Sequence, residues 1–255
     1  MAAASKNTPL RRAGNADSIA PARGVRVAQS SDNLTARVTE MLRQSIVDAE
    51  YQLGEALSES SLAAKLGVSR TPVREALTAL QRQGLIVIRP QYGSFVFLPS
   101  EEDVAELCEF RRLMEVAALR FAYARRRAET LAQMQRALAA MEAATQRDDQ
   151  RAYSRADAVF HESIVENSAN AFVIESYKLV SGRVAALRSH NLSGAHELRA
   201  KSSAAHRAIT HAFEKGDLPL AEEVIDEHVS RMTIAFRSTV RRGLSVTPKW
   251  RHARA

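Results

Sequence analysis

The sequence predicts a mainly α-helical protein in two parts: a small N-terminal domain of three helices and a two-stranded hairpin, followed by an all-α antiparallel helical bundle. Three observations carry this prediction. The 255 residues are enough for two hydrophobic cores. The abundant Ala, Leu, Arg and Glu favour helix. Strand-like periodicity occurs near residues 85–98, and only helical periodicity follows it. We therefore expect the first domain to cover residues 31–98 and the second to cover residues 99–242.

Composition excludes several classes of protein. Hydrophobic residues make up 45% of the chain and charged residues 25%, as in ordinary soluble proteins. No apolar run is long enough to span a membrane, and no apolar signal-peptide core follows the first basic residues. The single cysteine, Cys108, fits a reducing compartment. We expect a cytoplasmic protein without a membrane segment.

The net charge of +7 is unevenly distributed along the chain. Residues 1–30 and 243–255 are basic and lack apolar periodicity, which predicts a disordered tail at the start and a flexible tail at the end. Between them, residues 31–64 sum to about −4 and residues 65–90 to about +4. If the latter segment folds as one unit, it presents a basic face of the kind that attracts nucleic acid.

Local signals define the elements of the first domain. Ser58 can cap a helix that Gly67 ends in a left-handed conformation, and Ser69 can cap the helix that follows. A change to period-two alternation then predicts a hairpin. The expected elements are helices over residues 34–49, 58–67 and 69–84, and strands over residues 85–89 and 94–98. This is the element order of a winged helix-turn-helix, with three helices plus a two-stranded wing.

The third predicted helix carries the candidate DNA contacts. Arg70 and Arg74 lie four residues apart on the face opposite the buried one, and a single helix fits the major groove. The hydroxyls of Ser69 and Thr71, with the free N–H groups of the helix start, can hold a phosphate. The alternative is that both arginines are solvated or paired with an acid.

This segment resembles the winged helix of the GntR superfamily of regulators. The resemblance is carried by Leu62-Ala-Ala-Lys-Leu-Gly-Val-Ser-Arg-Thr-Pro-Val-Arg-Glu-Ala-Leu77 and by Gly93-Ser-Phe-Val96. It implies that Arg70 and Arg74 contact DNA from the recognition helix. It also implies that Gly93, at the tip of the wing, approaches the minor groove or the DNA backbone.

One position departs from the pattern of that superfamily. Ser60 stands where many relatives carry an arginine, which removes a contact from the second helix. We expect Arg43, Lys65 or the basic N-terminal tail to compensate.

Only long helices are predicted after Pro99. Ser100-Glu-Glu-Asp103 is a strong helix-start signature, and short breaks rich in Asp, Asn, Gly and Pro separate the later segments. The expected helices cover residues 101–126, 128–147, 150–168, 171–190, 195–215 and 218–242.

Four side chains of the second domain form a candidate site for a divalent metal. Asp157 and His161 lie at i and i+4 on an apolar stripe, where a buried charge needs a partner. His206 and His228 also lie on apolar faces, whereas His211 lies among charged residues. Each histidine alone is more often a hydrogen-bonded core residue, but an Asp and three His converging from three helices favour a metal site.

Arg111 interrupts the apolar stripe of the first long helix, and Arg112 is nearly as well placed by periodicity. An arginine in such a position snorkels, pairs with an acid such as Glu115, or binds an anionic ligand. Snorkelling or internal pairing ranks first on the residues alone.

Residues 100–242 resemble the helical C-terminal domain of the FadR subgroup of the GntR superfamily. The resemblance is carried by Glu109-Phe-Arg-Arg-Leu-Met-Glu115, Asp157-Ala-Val-Phe-His161, Asn167-Ser-Ala-Asn170, Ser203-Ala-Ala-His-Arg-Ala-Ile209 and His228. It implies a bound divalent metal ion, with zinc favoured and nickel or manganese as alternatives. The implied metal ligands are Asp157, His161, His206 and His228.

The same resemblance implies a small carboxylate effector that completes the coordination of the metal. Arg111 would neutralise this effector, and Arg112 and Asn170 are assigned to the effector site with it. Members of the subgroup without the full histidine set bind acyl-CoA, so the intact set here argues against that ligand.

Together these features predict a sequence-specific transcription regulator, a repressor of metabolic genes, whose operator binding responds to the effector. We expect a homodimer on a pseudo-palindromic operator, because one recognition helix covers only a few base pairs. The helix after Pro99 is the expected lever between the effector-binding and DNA-binding domains. Two other classes stay open: a metal-dependent enzyme and an architectural protein that binds DNA regardless of sequence.

Overall fold

The computed structural model describes residues 23–192 and 196–241. It confirms the predicted fold class, a winged helix-turn-helix followed by a helical bundle. None of the described helices is both long and apolar enough to cross a membrane. The elements are α1 (Arg23–Val47), β1 (Ala56–Leu57), α2 (Glu59–Leu66), α3 (Arg70–Arg82), β2 (Ile86–Arg89), β3 (Gly93–Val96), α4 (Glu101–Gln146), α5 (Gln150–Asn167), α6 (Ala171–Leu192), α7 (His196–Lys215) and α8 (Leu218–Arg241).

Helix α1 begins earlier than the sequence pattern predicts. It starts at Arg23, within the segment that the sequence predicts as a disordered tail. The amphipathic pattern appears only after Leu34 because the buried contacts lie there, among them Val38 and Leu42. The rest of the two predicted tails, residues 1–22 and 243–255, lies outside the described residues.

Helix capping fixes the corner between α2 and α3. The side chain of Ser58 accepts a hydrogen bond from the backbone N–H of Ser61, and Gly67 ends α2 with φ = +66° in the left-handed region. Ser69 precedes α3, although its hydroxyl makes no capping hydrogen bond in the structure as described. Helix α3 then packs into the core through Pro72, Val73, Ala76, Leu77 and Leu80.

The wing is a three-stranded antiparallel sheet rather than the predicted two-stranded one. The strand order is β1-β3-β2, with Ala56 opposite Phe95 and Ile86 opposite Val96. Strand β1 has only two residues, which is too short for alternation to be visible in the sequence.

Helix α4 spans 46 residues as two helical parts that meet at a kink, where Arg126 has a non-helical backbone (φ −144°, ψ 45°) and where the sequence predicted a break. The flanking arginines anchor the kink. Arg125 donates to the carbonyl oxygen of Ser168 at 2.8 Å, and Arg127 donates to that of Glu214 at 2.7 Å. These carbonyls lie at the C-terminal ends of α5 and α7, where helical acceptors lack partners within the helix and attract cations.

The winged domain packs directly on α5 and α6. The buried carboxylate of Asp48, just after α1, pairs with the guanidinium of Arg155 from α5. Gly182 of α6 faces the loop before β2, so closely that a Cβ added there would lie 3.2 Å from the side chain of Leu85. The two domains therefore share a packed junction in addition to the linker at Pro99.

The left-handed cap of α2 gives a prediction about stability. Replacing Gly67 by Ala should lower the free energy of unfolding by about 1–2 kcal/mol, because a Cβ is disfavoured at φ = +66°. No heavy atom lies within 4 Å of the added Cβ, so the loss would come from the backbone alone. Urea denaturation of the full chain, followed by circular dichroism, measures this loss. Gly67→Asn is the matched control and should lose less, since Asn tolerates this conformation; equal losses would contradict the account.

Candidate metal centre and DNA-binding face

Three helices bring together the four side chains that the sequence predicts as metal ligands. Asp157 and His161 of α5, His206 of α7 and His228 of α8 each offer one ligand atom, all within 4.8 Å of one another. Nε2 of His161 lies 3.2 Å from Nε2 of His206 and 3.2 Å from Nε2 of His228. Two nitrogens bound to one zinc ion are separated by about 2.9–3.4 Å, depending on the coordination angle. The spacing of these donors therefore fits a shared ion.

The donors are in the protonation states that a metal requires. Burial lowers the pKa of His206 to about 3, and burial also holds the pKa values of His161 and His228 below the ordinary value. Burial alone would raise the pKa of the Asp157 carboxyl, but Arg188, His206, His161 and Arg111 together outweigh it, and the pKa is lowered. Neutral imidazoles and an ionised carboxylate are the metal-binding forms.

Glu115 of α4 orients the central histidine. Its fully buried carboxylate lies 2.6 Å from Nδ1 of His161 and accepts hydrogen bonds from Tyr177 and Arg111. Burial alone would raise the pKa of Glu115, but the Arg111 guanidinium and the hydrogen bond from His161 outweigh it and hold the pKa well below its ordinary value. An ionised carboxylate only accepts, so Nδ1 of His161 carries the proton and Nε2 presents a lone pair to the cluster.

A cavity of about 80 Å³ lies beside the cluster. Asp157 and His228 form part of its wall, together with two buried arginines, Arg111 and Arg188. Arg111 pairs with Glu115 at 2.8 Å, as ranked first from the sequence, and Nε of Arg188 lies 2.6 Å from Oδ2 of Asp157. The wall is completed by residues that include Asn191, Leu198, Lys201, Ser202, Arg231 and Met232.

The sequence analysis did not identify Arg188 as part of the site, although the sequence around it contains a signal. Arg188 follows the apolar run Val184-Ala-Ala-Leu187 of α6, just as Arg111 interrupts the stripe of α4. The contact between Glu115 and His161 was also missed. That contact joins α4 to α5, and no periodicity within one helix reports it.

Two residues assigned to the effector site, Arg112 and Asn170, do not line this cavity. Arg112 does not line the cavity: its side chain is 42% exposed and pairs with Asp226 of α8 at 2.6 Å. Asn170 caps α6 instead, since its Oδ1 accepts from the backbone N–H of Phe172 at 3.1 Å. Helical periodicity could not show which of the neighbours Arg111 and Arg112 faces the cavity. Asn170 was misleading for another reason, because a polar residue that caps a helix cannot be told from a ligand-binding residue by sequence alone.

The two arginines of α3 are exposed and share one acid. The side chains of Arg70 and Arg74 are 63% and 65% exposed, and they contact Glu59 of α2 at 3.2 and 3.0 Å. In the free protein, both arginines are therefore paired with an acid, which is one of the possibilities that the sequence left open. Exposed ion pairs are weak, so DNA phosphates or bases can replace Glu59 at little cost.

The other predicted DNA contacts also lie on exposed positions of the winged domain. Ser69 and Thr71 are exposed at the start of α3, and a Cβ added to Gly93 of the wing would meet no atom within 4 Å. Lys65 is exposed, with its ammonium 3.3 Å from the hydroxyl of Tyr51.

Arg43 of α1 is less exposed than these residues. It pairs with Glu40 one turn earlier at 2.6 Å, and its pKa is raised first by that hydrogen bond and also by Glu162 of α5. The predicted role of Arg43 as a compensating DNA contact therefore stays a prediction.

The fold defines a winged-helix DNA-binding protein with a helical C-terminal domain. The family model for "Bacterial regulatory proteins, gntR family" matches residues 34–96, and the model for the "FCD domain" matches residues 106–231. The chain belongs to the GntR family of bacterial regulatory proteins, in the subgroup that carries an FCD domain.

Relatives extend over most of the chain. The "Probable D-xylose utilization operon transcriptional repressor" of Paenarthrobacter nicotinovorans is 29% identical over 197 residues, which cover 77% of this chain and 86% of the relative. An uncharacterized HTH-type transcriptional regulator of Streptomyces ambofaciens is 32% identical over 191 residues, covering 74% and 78%. A crystal structure of a GntR regulator from Rhodococcus sp. RHA1 superposes with a TM-score of 0.71 at 25% identity, covering 80% of this chain and 97% of that one. The protein is thus a transcription regulator and not a metal-dependent enzyme.

Arg111 and Arg112 are neighbours in the sequence, but the ion pair of Arg111 is buried and that of Arg112 is exposed. This difference gives a second prediction about stability. Glu115→Gln should lower the free energy of unfolding by about 3 kcal/mol or more, because it leaves the charge of Arg111 buried and uncompensated. Asp226→Asn breaks the exposed pair with Arg112 and should cost less than about 1 kcal/mol. Urea denaturation of both variants measures the difference, and similar losses would show that Glu115 is not the essential counter-ion.

Proposed function

We propose that the protein binds a specific operator through α3 and the wing, and that a small carboxylate bound at a divalent metal in the helical domain modulates this binding. The observation that carries the proposal is the convergence of one carboxylate and three neutral imidazoles in the bundle of a winged-helix regulator. The DNA-binding domain would be residues 31–98, and the effector-binding and dimerisation domain residues 99–242.

The exposed start of α3 supports the DNA-binding part of the proposal. Arg70 and Arg74 would contact base edges in the major groove, and the free N–H groups of this helix start, with Ser69 and Thr71, would hold a phosphate. Gly93 would allow the wing to approach the DNA closely. A homodimer reading a pseudo-palindrome would double this limited contact set.

The donor set supports a divalent ion in the helical domain. Asp157, His161, His206 and His228 would hold it, and three nitrogens with one oxygen and no sulfur suit zinc, with nickel or manganese as alternatives. A bound ion would supply open coordination positions for a carboxylate. Glu115 would keep His161 in the required tautomer.

The charges around the cavity explain why an anion would bind there. Two buried cations, Arg111 and Arg188, face two buried anions, Glu115 and Asp157, so that their charges cancel. The three histidines are neutral, and a divalent ion would therefore leave the site with a net positive charge. A small carboxylate would neutralise part of this charge and would lie next to Arg188.

Helix α6 offers a route from the cavity to the DNA-binding domain. Arg188 lines the cavity, whereas Gly182 of the same helix packs on Leu85, and His190 lies against the backbone of Tyr51. We propose that α6 acts together with α4, the lever expected from the sequence. A coupling of about 1–3 kcal/mol, or 5- to 150-fold in operator affinity, is typical of such linkage.

The recognition helix can be tested by substitution. Arg70→Ala and Arg74→Ala should each weaken operator binding by about 1–3 kcal/mol, because each loses a contact to bases or phosphates. Fluorescence anisotropy at constant salt, on the operator and on a scrambled duplex, measures this loss. Arg136→Ala, which removes an exposed arginine of α4, is the matched control and should change neither. Equal losses on both duplexes would instead support the architectural protein that binds DNA regardless of sequence.

The metal site can be tested by composition and melting temperature. The purified protein should hold one divalent ion per chain, and chelation should lower its melting temperature because the ion ties three helices together. His206→Ala should lose the ion and the effector response but keep basal operator binding. His211→Ala removes an exposed histidine of the same helix and should behave like the unmodified protein. A His206→Ala variant that retained a full equivalent of metal would refute the proposed site.

A further inference from the structure

We propose that the ligand of the cavity beside the cluster carries a hydroxyl group as well as its carboxylate, and that Asn191 recognises this hydroxyl. The proposal rests on the carboxylate site proposed above and names the chemical class of its ligand, a small hydroxy acid. Asn191 would be a specificity-determining residue, distinct from the metal ligands.

The side-chain amide of Asn191 is a buried group that needs a partner. It is only 3% exposed and lies in the cavity wall, and neither its Oδ1 nor its Nδ2 has a hydrogen-bond partner within the part of the chain that the structure describes. Nearly all buried polar groups in native proteins are hydrogen-bonded, because an unpaired one costs about 1–3 kcal/mol. The amide is therefore placed to bind a group that enters the cavity.

Arg188 lies three residues before Asn191 on the same face of α6, so both side chains reach the cavity together. The Nε of Arg188 forms an ion pair with Oδ2 of Asp157 at 2.6 Å. Its Nη2 is buried and without a hydrogen-bond partner among the described residues. Arg188 thus offers a donor to a carboxylate, and Asn191 offers a donor and an acceptor one turn away.

The chemistry of the amide selects the second group of the ligand. A hydroxyl both donates to Oδ1 and accepts from Nδ2. A carbonyl or a second carboxylate would satisfy Nδ2 alone, and it would leave Oδ1 facing another acceptor. An ammonium would satisfy Oδ1 alone and would lie among the cations Arg111 and Arg188. The apolar side chains of Leu198 and Met232 in the same wall limit how many further polar groups the ligand carries.

Matched pairs of acids test this inference on the full-length, zinc-loaded protein. Isothermal titration would compare lactate with propionate, malate with succinate, and gluconate with hexanoate, so that each pair differs in its hydroxyl groups. We expect the hydroxy acid of at least one pair to bind about tenfold more tightly or better, because its partner leaves the amide unpaired. Asn191→Leu, a substitution of similar shape, should abolish that preference without lowering the zinc content.

The outcomes separate this inference from the proposed function. If the unmodified protein binds both members of every pair equally, or if Asn191→Leu keeps the preference, the role of Asn191 is wrong and the carboxylate site stands. If zinc is bound but no acid of the six binds, the carboxylate site fails together with the inference. The comparison of acids on the unmodified protein decides the question even if Asn191→Leu does not fold.

Discussion

The buried carboxylate of Glu115 is the interaction on which the helical domain depends. It neutralises Arg111 on its own helix, and it accepts hydrogen bonds from Nδ1–H of His161 on α5 and from the hydroxyl of Tyr177 on α6. A buried arginine without a counter-ion would be costly, and a central histidine in the wrong tautomer could not face its neighbours with a lone pair. One ionised side chain thus sets both the packing of three helices and the chemistry of the cluster.

Helix α6 connects this chemistry to the winged domain because its two sides make different contacts. Arg188 pairs with Asp157 and faces the cavity, while Gly182 allows close packing on Leu85. The junction is completed by the pair between Asp48 and Arg155. Helix α6 thus contacts both the cavity and the winged domain. It can transmit a change from one to the other only if a ligand binds two arrangements of the protein with different affinities.

Local signals explain what the sequence predicted, and contacts between elements explain what it missed. The capping box at Ser100 and the apolar stripe around His161 are encoded within a few residues, so the start of α4 and the ligand faces followed from spacing. Strand β1 exists only because it pairs with β3. The pair between Arg188 and Asp157 joins α6 to α5, and the burial of Arg111 rather than Arg112 depends on how α4 packs. Periodicity of one helix cannot carry such information.

Diffraction from crystals of the zinc-loaded protein, recorded at the zinc absorption edge, tests the central claim most directly. The account predicts one anomalous peak per chain, about 2.0–2.1 Å from Nε2 of His161, His206 and His228 and about 2.0–2.2 Å from an oxygen of Asp157. A peak at other side chains, or none within reach of these four, would contradict the claim that the helical domain of this regulator is built around a metal.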